Sequence, residues 1–437
     1  GKLGEDPLIR LSTIHRFLYG GLFEFIDVRS KRDEIFKLNS LMDKILAGKW
    51  ELFDEFRRIA ERWKFNPKVL IIDESSMVDV VLLAILLSLI NSETVEHLIL
   101  VGDEKQLPPI GVGRPLVDII YYLKRQGLEE KIVRLESNLR FASSTKIALF
   151  SGIFESDELP LPSHVDNILT GSDKSMEIKY FSDLDELKEH IGKILHTIGG
   201  TTRKSIFEKF AEIFESGGTS NLDRVQIIPP RRVGSYGTLS INREIVEEEK
   251  NEYLPKTKLI CEENIYFEVR EGRRKRKILG LANGSIGYIK RERYIHFDEF
   301  QELINKYGWD TVKKDLIDEV KKDVYYPTGI DRKLDFGYAI TIHKSQGSDF
   351  DYVIFVISEI NPFVTKELIY TGITRAKEKM FILIHSDLKD DLPIVLTKIW
   401  ENSEVDDRET LLFEFKRTPF RPYVLTRKNG EVLELKS

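Results

Sequence analysis

Two short acidic and polar clusters, each closing an apolar run, hold the residues of this chain best suited to chemistry. The first lies in KVLIIDESSMVD, from Lys68 to Asp79, and the second in HLILVGDEKQLPPIGVG, from His97 to Gly113. A carboxylate at the end of a strand, as at Asp73, can hold Mg²⁺ directly or through water. Its neighbour Glu74 can orient a water for attack on a γ-phosphate. Gln106 adds an uncharged amide that can touch the same phosphate. An Asp-Glu pair alone is common in solvated loops, so it is the two clusters in order that point to nucleotide chemistry.

These side chains need a frame. Val69 to Ile72 and Leu98 to Val101 are short continuous apolar runs, the pattern of parallel strands buried on both faces. In open α/β sheets the ligand crevice lies at the carboxyl ends of the strands, so both clusters should face one site. Val80 to Ile90 reads as a buried helix after the first cluster. Arg29 to Trp63 carries Ile35, Leu38, Leu41, Met42 and Ile45 at helical spacing. LSTIHRFL, from Leu11 to Leu18, interleaves Thr13, His15 and Arg16 with apolar residues, and Ser12 is a candidate N-cap.

Farther on, Pro115 to Gln126 reads as a helix and Ile132 to Leu135 as a short strand, with Arg140 just past it, placed to reach into a cleft. A strand at Met176 to Phe181 and helices around Leu184 to Leu195 and Ile206 to Phe214 propose no chemistry. Lys258 to Val269 and Lys277 to Lys290 read as strands joined by a basic run that includes Arg273, Arg274 and Lys275. Such a run is an ordinary solvated hairpin tip, or a contact for a phosphate backbone. Asp298 to Val324 is charged and helical in pattern. A turn with Thr341, His343, Lys344, Gln346, Gly347 and Asp349 precedes the strand Val353 to Val356. Arg375 and Lys377 are expected on a helix ahead of the strand Met380 to Ile384, and a helix N-terminus with an Arg can face a phosphate.

Composition narrows the classes. At 437 residues the chain has room for two or three domains. Net charge is -6, so nucleic acid would have to be met by local basic patches. Cys261 is the single cysteine, which excludes an intrachain disulfide and a cysteine-cluster metal site and suits a reducing, cytoplasmic setting. The longest apolar run is too short to span a bilayer, so no membrane partner is expected.

In this order the motifs resemble the RecD-like branch of the superfamily 1 DNA helicases, from Thr13 to about Ile384. TIHRFL looks like the motif after the first strand-helix unit, LIIDESSMVD like Walker B, and LVGDEKQLPPIGVG like motif III. LESNLR is similar to motif IV, YAITIHKSQGSDFD to motif V and YTGITRAKEKM to motif VI, while IPPRRVGSYGTLSIN and LANGSIGYI resemble features that flank a small β module.

The resemblance implies an α/β fold of two RecA-like parallel-sheet domains with a small inserted SH3-like β module carrying a helical extension. The expected boundaries are 1–138 for the first domain, 139–257 with 325–390 for the second, 258–324 for the module and 391–437 for a C-terminal extension. ATP with Mg²⁺ would lie in the cleft between the two domains. Single-stranded DNA, or DNA with a 5′ overhang, would cross their tops, and movement would run 5′ to 3′. Asp73 would hold Mg²⁺, Glu74 activate water, Gln106 sense the γ-phosphate, and Arg140 and Arg375 stabilise the transferring phosphoryl group. Gly347 and Asp349 would meet the nucleotide, Asp349 replacing the family's usual Glu. Thr13, His15, Arg16, Thr341 and His343 would lie along the DNA track.

Two departures stand out. No G-x-x-x-x-G-K-[ST] phosphate loop occurs, and Gly1-Lys2 looks like the tail of the motif after such a loop, so an N-terminal truncation and weak hydrolysis by this chain are expected. The stretch from Leu18 to Phe65 reads as helices where the family often has a strand-separating hairpin. The terminal RPYVLTRKNGEVLELKS reads as a plain β-hairpin turning at Asn429-Gly430, and loosely resembles the opening of a nuclease module, so a nuclease module or subunit is a candidate partner. The alternative from another class is a non-catalytic nucleic-acid-binding or scaffold subunit with no working phosphate loop.

Overall fold

The computed structural model describes residues 13–14, 17–18, 32–135, 145–156, 158–171, 173–200, 204–215, 221–247, 256–271, 274–291, 294–297, 333–359, 363–403, 427–428 and 431–432. The chain divides into two compact units, Gly1–Arg134 with Val405–Ser437, and Leu135–Glu404.

In the first unit the helical stripe closes a core. Helix α1 (Arg32–Leu46) begins with Asp33 and Glu34 and ends near Lys44, charges that complement the helix dipole. It buries Ile35, Leu38, Leu41, Met42 and Ile45 with Phe56 and Ala60 of α2 (Phe53–Ala60) and with Ile72, Ile85 and Leu86. Strands β1 (Val69–Ile72) and β2 (His97–Leu100) pair in parallel, Val69 with His97 through Ile72 with Leu100. Helix α3 (Val80–Ser88) is capped by Asp79, whose carboxylate accepts from Leu82 N at 2.7 Å. Helix α4 (Pro115–Arg125) starts on a proline, which needs no N–H there.

Two expectations need correction. The strands are not buried on both faces: Ile72 points into the core, whereas Ile71 is 60% exposed and Val69 and Leu98 are exposed as well. Among the described residues β1 and β2 pair only with each other, and the helices of the core cover one face of this two-stranded sheet. Nor is there a strand at 132–135: among the described residues no strand pairs with it, Val133 lies exposed, and Arg134 instead pairs with Glu104 at 2.5 Å.

The second unit, like the first, mixes helices with a parallel sheet, ordered β3 (Met176–Phe181), β12 (Ala376–His385), β11 (Phe350–Ile357), β4 (Val225–Ile228). The residues of β4 are all buried and those of β11 nearly so, as expected for strands covered on both sides. Helices α5 (Lys146–Glu155), α6 (Pro162–Thr170), α7 (Leu184–Ile198), α8 (Ile206–Glu215) and α9 (Thr238–Glu247) belong to this unit. Asp183 caps α7 by accepting from Glu186 N at 2.9 Å, and Glu186 returns by accepting from Ser182 N. Ile191, Leu195, Phe210, Ile241, Ile354 and Phe381 share one core.

Beside the parallel sheet lies an antiparallel one, ordered β10 (Leu334–Phe336), β5 (Lys258–Cys261), β8 (Ile286–Arg291), β9 (Tyr294–His296). Strands β6 (Ile265–Glu271) and β7 (Arg274–Leu281) form a separate hairpin. The fourth strand of this sheet comes from beyond residue 324. The charged stretch expected to be helical, 298–324, lies outside the described residues. A short α10 (Ile342–Ser345), then α11 (Lys366–Ile373) and α12 (Leu392–Glu401), complete the unit. In the C-terminal stretch grouped with the first unit, β13 (Arg427–Lys428) pairs antiparallel with β14 (Glu431–Val432), as a hairpin would.

Candidate nucleotide and nucleic-acid sites

Where β1 ends, the chain makes a strained turn. Asp73 and Glu74 are both exposed, and Glu74 has φ 49° and ψ 40°, a left-handed conformation that side chains other than glycine rarely adopt. The turn is held from three directions. Glu74 N donates to Asp73 Oδ1 at 2.8 Å, and Ser75 donates to Val101 O from both its N–H and its hydroxyl, each at 2.8 Å. Val101 N in turn donates to Ile72 O at 2.8 Å. The acidic turn and the loop after β2 are therefore one rigid piece. Gly102 is required by this contact, because a Cβ there would lie 2.8 Å from Ser75 Oγ and 2.9 Å from Leu116 Cδ2.

The loop after β2 is organised by Asp103. Its carboxylate accepts from Lys105 N at 3.0 Å and from Gln106 Nε2 at 3.3 Å. That orients the Gln106 amide and leaves its Oε1 buried with no hydrogen-bond partner. Buried polar atoms are nearly always satisfied, so an open acceptor marks a place for a donor from outside the chain. The sequence shows Asp73, Glu74 and Gln106 directly, whereas the role of Ser75 as the bolt between the loops needs the fold. A small hydroxyl after the acidic pair was its sole signal.

No group of three or more His, Cys, Asp or Glu side chains suited to a metal ion occurs among the described residues. Mg²⁺ does not need one, since it keeps several waters and is commonly held by one or two carboxylates together with substrate phosphates. An exposed carboxylate at a strand end fits that requirement.

In the second unit Arg375 is not on a helix. Helix α11 ends at Ile373, with Thr374 as its C-cap, and β12 begins at Ala376, so Arg375 sits in the turn and Lys377 is in the strand. The residue is 4% exposed, and its guanidinium donates to Thr371 O at 3.1 Å, Ser348 O at 3.0 Å and Thr374 Oγ1 at 3.3 Å. Ser348 lies between Gly347 and Asp349, and Phe350 N donates to Arg375 O at 2.8 Å. Arg375, Gly347 and Asp349 are thus brought together, at the amino edge of the parallel sheet. Gly347 has φ 76°, in the region that favours glycine.

Thr341 and His343 belong to the opposite edge. Ala339 bridges Ile227 in parallel, and Ile340 N donates to Ile227 O at 3.0 Å, so the chain leaves the sheet beyond the carboxyl end of β4. It returns at Phe350, two residues before the Tyr352–Val225 pair. The segment 341–349 therefore crosses from one edge to the other, a span of about 20 Å at the rise of a strand.

Other expected site residues are not brought into these groups. Arg140, His15, Arg16 and Arg273 lie outside the described residues. Arg274 and Lys275 are the first residues of β7, at the tip of the β6–β7 hairpin. Thr13 accepts a backbone hydrogen bond from Phe17 N at 2.8 Å, one turn of helix.

Similarity to known proteins shows the same division. Residues 336–383 match the UvrD-like helicase C-terminal domain, and residues 2–112 match an AAA domain. An uncharacterised protein of Methanocaldococcus jannaschii is 31% identical over 98% of this chain and 36% of its own length. The RecBCD enzyme subunit RecD of Buchnera aphidicola is 28% identical over 79% of this chain and 58% of its own length. The chain thus spans about a third to three fifths of these curated relatives. Among solved structures, the Pif1 helicase from Candida albicans aligns with a TM-score of 0.33 at 17% identity, covering 79% of this chain and 77% of that one. Among the described residues no helix is long and apolar enough to cross a membrane.

Proposed function

Because this chain is a relative of the RecD-like superfamily 1 helicases, we propose that it forms the motor core of an ATP-driven DNA helicase that moves 5′ to 3′ along single-stranded DNA. In this reading Asp73 holds Mg²⁺, whose charge offsets that of the triphosphate when bound. Glu74 takes the proton of the attacking water, and Gln106 meets the γ-phosphate through its amide N–H while its otherwise unsatisfied oxygen accepts from the attacking water. Arg140 and Arg375 stabilise negative charge on the transferring group, and Gly347 and Asp349 meet the nucleotide. For Arg375 this means exchanging at least one of its present carbonyl partners, Ser348 and Thr371, for phosphate oxygen.

Thr13, His15, Arg16, Thr341 and His343, with Arg273, Arg274 and Lys275 of the basic hairpin, carry the DNA. The observation that supports a motor over a passive binder is the left-handed acidic turn at Asp73 and Glu74, tied through Ser75 to the loop that carries Gln106. One short segment, 341–349, joins the edge bearing the DNA candidates to the edge bearing Arg375, so a change at the nucleotide is transmitted along a covalent path.

Hydrolysis of ATP by the protein, with and without single-stranded DNA, tests the proposal. DNA should stimulate turnover. Glu74→Gln should lower turnover by about 10²-fold or more, the scale of a lost general base, with nucleotide affinity nearly unchanged. Undiminished hydrolysis in that variant removes Glu74 from its role. Nucleic-acid binding without any hydrolysis in a protein that carries the phosphate loop favours the scaffold reading, and stimulation by RNA in place of DNA changes the substrate class.

A further inference from the structure

Four charges meet where the loop after β4, the antiparallel sheet and the crossover come together. Glu262, one residue past β5, accepts from Lys344 Nζ through Oε1 and from Arg232 Nη1 through Oε2 at 3.0 Å. Arg232 Nη2 also lies 3.8 Å from Asp335 Oδ2 on β10. The backbone fixes the carboxylate in place: Glu262 N donates to Lys333 O at 2.7 Å, and the preceding residue accepts from Gly284 N at 2.8 Å. The Glu262 and Lys344 side chains are 13% and 20% exposed, whereas Arg232 is 52% exposed. Burial pushes the Asp335 carboxyl up; a backbone hydrogen bond from Phe336 opposes this, Glu262 adds to it, and Arg232 and Lys344 oppose it.

Position gives this cluster a meaning. Lys344 follows His343 directly on α10, and Arg232 lies in the loop leaving the carboxyl end of β4, so both cations belong to the edge that bears Thr341. A carboxylate accepts from Lys and Arg in the same way as a phosphate.

We propose that Arg232 and Lys344 form a further phosphate-binding pair on this edge, with Glu262 as their internal counterion, displaced when a backbone phosphate of single-stranded DNA arrives. The inference deepens the nucleic-acid reading above and rests on it. The arriving phosphate takes the place of Glu262 as acceptor for both cations, so the displacement exchanges one charge-assisted pairing for another and leaves neither cation bare. The carboxylate then acts as a threshold: weak or mispositioned polyanions fail to dislodge it, whereas a strand already held at Thr341 and His343 does so.

The test is binding of a fluorescent oligothymidylate to the chain, followed by anisotropy across a salt series. Glu262→Gln keeps the side chain's shape and removes its charge. It should tighten binding about five- to tenfold at low salt and steepen the log-log salt dependence by about 0.7 for each cation set free. Arg232→Met with Lys344→Met should weaken binding, and adding Glu262→Gln to that pair should change nothing further. Asp335→Asn, whose carboxylate contacts Arg232 and acts on Lys344 only through space, should tighten binding less and mainly while Arg232 is present; it decides the matter if Glu262→Gln does not fold. Unchanged or weaker binding in Glu262→Gln overturns the proposal, as does equal tightening without the two cations, which would make the effect one of net charge. Absence of binding by the unsubstituted chain is a different failure, because it removes the nucleic-acid reading itself.

Discussion

Lys258 is fully buried, yet its ammonium donates to Leu222 O at 2.8 Å, Val225 O at 3.2 Å and Gln226 Oε1 at 2.8 Å, with the rings of Phe214 and Phe350 alongside. Burial pulls its pKa from an ordinary 10.5 down to about 7, with Asp223 pulling the other way. Between those two values the unfolded chain holds a proton that the folded chain has released. Stability should therefore rise with pH from about 7 toward 10.5 by up to about 1.4 kcal/mol per pH unit, and below 7 the cost of burying the charge is present in full. Urea denaturation of Lys258→Met against the unsubstituted chain should show this slope lost in the variant; parallel pH profiles would refute it. Nothing in the sequence marks this lysine, which opens the strand KLIC like any edge residue. Its acceptors lie more than thirty residues upstream, and a contact of that range becomes visible only in the fold. Asp73, Glu74 and Gln106 stand out as candidates in the sequence for the opposite reason: each is polar and comes soon after an apolar run.

At the level of elements, apolar and aromatic residues bounded by polar turns made strands easy to place. Met176–Phe181 is observed at the limits its apolar pattern predicts, and α7 is bounded by the Asp183 cap and by Gly199 at φ 138°. Apolar content misled where a strand had no partner, as at 132–135, and where a sheet has one covered face, as at β1. The helix expected to carry Arg375 ends two residues before it, since YTGITRAKEKM gives no periodicity that separates its helical half from its strand half. Gly372, in that stretch, is demanded by packing: a Cβ would lie 2.6 Å from Phe355 Cε2 and 3.4 Å from Ile342 Cδ1. Gly372→Ala should add an overpacking cost of about 1–3 kcal/mol, only partly offset by about 1 kcal/mol of helix propensity. A lowered thermal midpoint is expected, and a raised one would show that α11 stands farther from β11 and the crossover than described.

For the molecule as a whole, a net charge of -6 rules out a general attraction to polyanions, so DNA binding must come from local groups such as the 341–349 edge and the β6–β7 tip. The motor proposal places its nucleotide chemistry on two separately folded units, with Asp73, Glu74 and Gln106 on one and Arg375 on the other. Sequence order suggested this division, but it carries no information on whether the two groups face a common ligand. The most direct measurement is a crystal structure of the protein with Mg²⁺ and a non-hydrolysable ATP analogue. The account predicts Asp73, Gln106 and Arg375 within about 3 Å of the phosphates or their metal, and Glu74 within reach of the attacking water. An analogue bound elsewhere, or bound with Arg375 still enclosed by Ser348 and Thr371 and far from its γ-phosphate, would contradict it.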